Sequence, residues 1–110
     1  MADRTFLDWP FLDDTHRALS SELEAWAAQS LTALDHSDTD ACCRALVASL
    51  GEAGFLQHSA VAPGSGAPLD VRSLCVIRET LARHDGLVDF SFAMQGLGTG
   101  AISLFGTPAQ

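Results

Sequence analysis

Between residues 87 and 105 the chain carries a single charge, Asp89. Nearly every other side chain there is apolar or small. A helix that is apolar almost all round has to be buried on most sides. The segment also holds Gln95 and several small polar residues, and it is marginally short for a bilayer crossing, which takes about 20 apolar residues. It reads as a buried core helix, and the rest of the chain has to surround it. With 110 residues, one domain is the natural expectation. Such a domain buries roughly 65% of the surface its unfolded chain exposes.

The other periodic blocks supply the surround. Over residues 13–34, Leu19, Leu23, Trp26, Leu31 and Leu34, with Ala27, recur at helical steps, and Asp13 and Asp14 stand where a cap and a favourable charge belong. A polar break follows. Asp38 or Thr39 can cap a second helix running to about Ala53, with Cys42, Leu46, Ser49 and Leu50 on its stripe, and Gly54 closes it in a left-handed conformation. Phe55 and Leu56 form an apolar anchor. Residues 57–68, with Pro63, Gly64, Gly66 and Pro68, form a loop. Asp70 can cap a third helix through about His84, Asp85-Gly86 turns the chain, and the fourth helix covers about residues 87–104. The expected fold class is all-α, an up-and-down bundle of about four main helices preceded by an extended arm over residues 1–12.

The last four residues, Thr107-Pro108-Ala109-Gln110, have the layout of a helix start: Thr at the cap, Pro at the first helical position and Gln at the third. The expectation is that the chain is the front of a longer protein.

Net charge is -8, all six positive charges are Arg, and the pI is near 4.6. That argues against nucleic acid and anionic membranes, both of which select basic surfaces. With 47% apolar and 18% charged residues, the chain is not a disordered acidic tail. Cys42, Cys43 and Cys75 are an odd set with an adjacent pair, so reduced thiols in a cytoplasmic protein are expected. The N-terminus has no apolar core of a signal peptide.

Candidate chemistry is sparse. The run Gln95-Gly96-Leu97-Gly98-Thr99-Gly100 lacks the preceding strand, the following helix and the downstream acid of a dinucleotide fingerprint. Histidines 16, 36, 58 and 84 show no metal-ligand spacing, so no metal site is expected. Thr99, Ser91 and Ser103 have no neighbouring base. Glu79 and Arg83 are spaced for a helical ion pair. The fourth helix offers more. Phe90, Met94, Leu97, Ala101 and Leu104 share one stripe, and Ala93, Gly96, Gly100 and Ser103 form an adjacent stripe of small residues. Close approach of another helix or of a ligand is the reason a helix would keep such glycines: tight helix packing alone is one account, and the large stripe as the wall of an apolar ligand slot is the sharper one.

The ordered set of features resembles the N-terminal helical domain of the flavin-dependent acyl-CoA dehydrogenases. The resemblance rests on Leu50-Gly51-Glu52-Ala53-Gly54-Phe55-Leu56, the Gly/Pro loop, Val76-Ile77-Arg78-Glu79-Thr80-Leu81-Ala82-Arg83-His84-Asp85, the apolar helix with Gln95-Gly96-Leu97-Gly98, and Phe105-Gly106-Thr107-Pro108-Ala109-Gln110. It covers nearly the whole chain from about residue 13. The loop Ala62-Pro63-Gly64-Ser65-Gly66-Ala67 departs from the family's Pro-Glu-x-x-Gly-Gly-like stretch.

The resemblance implies α,β-dehydrogenation of an acyl thioester, on CoA or a carrier. FAD and the catalytic carboxylate would lie mostly in a middle β-domain and a C-terminal helical domain outside these residues, so the catalytic residues would not be in this chain. The implied role of residues 13–110 is one wall of the acyl pocket: Phe90, Ala93, Met94, Leu97 and Ala101. It further implies a homo-oligomer at full length, with the fragment alone inactive and unable to hold FAD. A different class of answer is a stand-alone helical interaction module with no chemistry.

Overall fold

The computed structural model describes residues 2–110; Met1 lies outside the described residues. Four α-helices, α1 (Asp14–Ser30), α2 (Thr39–Glu52), α3 (Val71–His84) and α4 (Gly86–Phe105), make up the domain, with no strand among the described residues. The all-α class is therefore observed. The helices lie side by side in the order α1, α3, α4, α2, and the domain is a slab of 42 × 39 × 18 Å.

Each helix begins on an aspartate. Asp13, Asp38, Asp70 and Asp85 occupy the four N-caps, and each side chain accepts from a backbone N–H of the first turn. A carboxylate there satisfies an orphan donor and meets the positive end of the helix dipole. Asp13 forms a full capping box with His16, whose Nδ1 accepts from the Asp13 N–H at 3.1 Å. Asp85 is the single residue between α3 and α4, closing one helix and capping the next.

Some boundaries differ from the expectation. The first helix ends at Ser30, not residue 34; Leu31 and Leu34 still pack on the core, from a non-helical segment. The arm is not extended throughout: Thr5–Asp8 forms a 3-10 turn. Gly54 has φ 85°, the left-handed backbone expected of it, and leads into a second 3-10 turn, Phe55–Ser59. At Gly106 a Cβ would run into the Ile102 carbonyl, so only glycine lets the chain leave α4 this way.

The core joins Leu19 and Leu23 of α1, Leu46 and Leu50 of α2, Ile77 and Leu81 of α3, and Val88 and Phe92 of α4. Phe55 enters it from the second 3-10 turn and meets Trp26 edge to face, with ring centroids 5.6 Å apart. Polar ties complete α1 against α3. Glu24 accepts from Arg83 and lies 2.7 Å from His84 Nε2. Burial pushes the Glu24 carboxyl up, but the bonds from His84 and Arg83 outweigh it and hold it below the usual range. The Glu79–Arg83 pair read from spacing forms at 2.8 Å. Arg78 and Asp89 tie α3 to α4 through two hydrogen bonds of 2.9 Å.

Candidate functional site on the outer face of α4

α4 buries only one side. Val88, Ser91 and Phe92 face the other helices. The opposite side carries the stripe that periodicity singled out. Phe90 is 58% exposed, Met94 38% and Leu97 73%, and Ala101 is exposed beyond them. Further on, Ile102, Leu104 and Phe105 are exposed as well. The helix is apolar all round, yet nothing else in the described residues covers this face.

Ala93 differs from the other four. It is half-buried and, with Leu97, lines a groove of about 340 Å³ between α3 and α4. Leu74 and Arg78 of α3 form the facing wall, and Ser59 and Leu69 close one end. Of the five residues read as a pocket wall, Ala93 and Leu97 thus share the groove, while Phe90, Met94 and Ala101 lie outside it. Leu69 and Ser59 were not singled out from sequence. Their signal was present in part: Gly54 and the Phe55-Leu56 anchor set the 3-10 turn that carries Ser59 back to α4.

The glycines at 96, 98 and 100 separate into two cases. A Cβ on Gly96 would sit 3.8 Å from the Ser59 carbonyl oxygen, so this glycine lies against the turn. A Cβ on Gly98 or Gly100 would meet nothing within 4 Å. Packing within the described residues therefore explains neither Gly98 nor Gly100.

A flavin would need its pyrophosphate held, commonly by free backbone N–H groups at a helix N-terminus. Here all four N-termini are closed by an aspartate carboxylate, which would repel a phosphate. The glycines of residues 96–100 lie inside α4, with their backbone in the helix ladder. These residues alone do not fit the group. Among the described residues no cluster of three or more His, Cys, Asp or Glu could hold a metal ion, and no helix is long and apolar enough to cross a membrane.

Four helices, with Asp85 the single residue between α3 and α4, form an all-α domain whose last helix leaves an apolar face exposed. The family model for the acyl-CoA dehydrogenase N-terminal domain matches residues 13–110, and the chain belongs to that family. A search of curated proteins returns no match.

Proposed function

We propose that this chain is the N-terminal domain of an acyl-CoA or acyl-carrier dehydrogenase, and that the outer face of α4 is one wall of its acyl pocket. The observation that carries the reading is the exposed stripe Phe90, Met94, Leu97 and Ala101, flanked by Ala93 at the groove, in a domain of this family. The wall is apolar, and Asp89 near its start is engaged with Arg78. Such a surface supplies shape: it excludes water and aligns an alkyl chain, which is the positioning share of catalysis.

The chemistry belongs to parts of the enzyme outside these residues. A middle β-domain and a C-terminal helical domain would hold FAD and the base, complete the pocket and carry the contacts of a homo-oligomer. The capped helix ends described above support assigning FAD to those parts. Free thiols at Cys42, Cys43 and Cys75 support a cytoplasmic location for the oxidoreductase.

The test is a pair of substitutions in the enzyme containing this domain. Met94→Ala and Leu97→Ala should widen the slot and move the ratio of specificity constants, long against short acyl thioester, by about tenfold or more. An unchanged ratio would remove the pocket assignment for these two residues.

A further inference from the structure

One ion pair spans the groove between α3 and α4. Arg78 Nε donates to Asp89 Oδ1 and Arg78 Nη2 to Asp89 Oδ2, each at 2.9 Å. No other side-chain hydrogen bond joins α3 to α4 among the described residues. A guanidinium fork on a carboxylate is the strong, directional form of this contact. The bonds from Asp89 push the Arg78 guanidinium up from its already high pKa, so its charge is permanent. Asp89 is the only charged residue of α4.

The pair stands beside an apolar surface. Arg78 is the only charged residue that lines the groove, where it faces Ala93, Gly96 and Leu97. Its side chain is 53% exposed and that of Asp89 16%. A pair as open as this contributes little to stability in water, so tying two helices together is a weak reason for it. Its effect on the groove is larger. An uncompensated guanidinium holds its water, and an apolar group entering beside it has to strip that water away. A guanidinium already bonded to a carboxylate presents a wall of no net charge, with the methylene stem of Arg78 as apolar surface.

The groove continues the proposed acyl slot, sharing Ala93 and Leu97 with it, and Leu69, Leu74 and Phe92 keep its other walls mostly apolar. Its volume of about 340 Å³ is at the small end of ligand pockets. Such a space suits the alkyl tail of an acyl thioester and not the polar head.

We propose that Arg78 and Asp89 together form a chain-length element: Arg78 borders the alkyl tail, and Asp89 is the positioning residue that aims and neutralises its guanidinium so that long acyl chains can enter the groove. This rests on the acyl-wall reading of α4. A short chain ends before the groove, so the pair discriminates by length.

The experiment uses the enzyme containing this domain, with a short and a long acyl thioester. Asp89→Asn keeps the shape but leaves the guanidinium uncompensated. The long-to-short ratio of specificity constants should fall about tenfold or more. The loss should fall mainly on the KM of the long thioester, because tail contacts are alike in the ground and transition states. Arg78→Met combined with Asp89→Leu replaces the pair by apolar groups, an exchange that ion pairs removed from water commonly tolerate, and should restore the ratio. A mere tie between helices gives no such rescue: the double variant would stay impaired, and both thioesters would decline together with the melting temperature. That result overturns the proposal, as does a ratio that falls with Asp89→Asn and is not restored. Met94→Ala and Leu97→Ala are measured alongside. If they move the ratio and Asp89→Asn does not, Arg78 and Asp89 lose this role and the acyl wall stands. If none of these variants moves it, the wall falls and the proposal with it.

Discussion

His16 and Asp70 are 54 residues apart in the chain and 3.1 Å apart in space. With His16 Nδ1 accepting from the Asp13 N–H, the ring proton sits on Nε2 and points at Asp70 Oδ2. One buried imidazole therefore joins the N-cap of α1 to the N-cap of α3. Asp70 also accepts from the Arg72 N–H and from Ser73 Oγ. Partial burial pushes its carboxyl up, but the bonds from Ser73 and His16 outweigh it and lower its pKa from 3.8 to about 2.

The first prediction follows from that shift. A carboxyl with a depressed folded pKa contributes stability that is present above its unfolded pKa and lost as pH falls towards the folded one. The window here runs from about 4 down to about 2. Because the side chain is 44% exposed, water screens much of the effect, and a contribution of about 1 kcal/mol is expected, not the full linkage value. In urea unfolding, Asp70→Asn should be less stable than the natural chain at neutral pH, and the gap should close as pH falls through the window. A gap that is constant from pH 7 to pH 2 would contradict it.

α4 gives a second prediction, on what its two faces do for folding. Phe92 is 1% exposed and Leu97 73%. Phe92→Ala should cost about 3–5 kcal/mol, the range for a large buried ring. Leu97→Ala, at an exposed position, should stay within about 0.5 kcal/mol. Melting temperatures of the two variants check it. A large loss for Leu97→Ala would mean that this side chain is core, and would remove it from the pocket wall on stability grounds alone.

The difference between these two residues was not legible in the sequence. Period 3.6 identifies an apolar stripe only against polar neighbours, and α4 has few. Phe90-Met94-Leu97 and Val88-Ser91-Phe92 look equally able to face inward. The partners decide, and those come from Leu23, Leu50 and Ile77 on three other helices. The caps were more legible, since Asp13 and Asp70 each precede a clean helical period. Asp85 was read only as part of a turn, because nothing local shows that α4 starts one residue after α3 stops. The end of α1 was overshot for a related reason: Leu31 and Leu34 keep the apolar spacing because they are packed on the core, though not as helix. The groove between α3 and α4 needs Leu69 and Ser59 to return from the loop, a tertiary event with no spacing of its own.

A third prediction concerns surface behaviour. Phe90, Leu97, Ile102, Leu104 and Phe105 leave apolar surface in water along α4. Exposed apolar patches promote association. The isolated chain should bind a dye specific for such surface and should self-associate as concentration rises. Adding salt should strengthen association, because it screens the repulsion between chains of net charge -8. Leu97→Ser with Phe105→Ser should reduce both effects. Sedimentation showing a monomer throughout, without dye binding, is the contrary result.

The last prediction uses the glycines that packing does not explain. Glycine inside a helix costs about 1 kcal/mol relative to alanine. At Gly98 and Gly100 an added Cβ would meet nothing within 4 Å. Gly98→Ala and Gly100→Ala should therefore each stabilise the isolated chain, by up to about 1 kcal/mol. Gly96→Ala should gain less, because its Cβ would come to rest against the Ser59 carbonyl oxygen and side chain. In the larger enzyme the sign is informative. If another part of the protein, or an acyl chain, approaches α4 closely at these positions, the same methyl groups would obstruct it. Activity should then fall while the isolated domain gains stability. Urea midpoints of the 110-residue chain and turnover of the full enzyme, measured for the same two substitutions, separate a ligand-facing or domain-facing role from none. If Gly98→Ala and Gly100→Ala destabilise the isolated chain, the open surroundings seen here are wrong; if they raise stability with full turnover retained, nothing approaches α4 closely there.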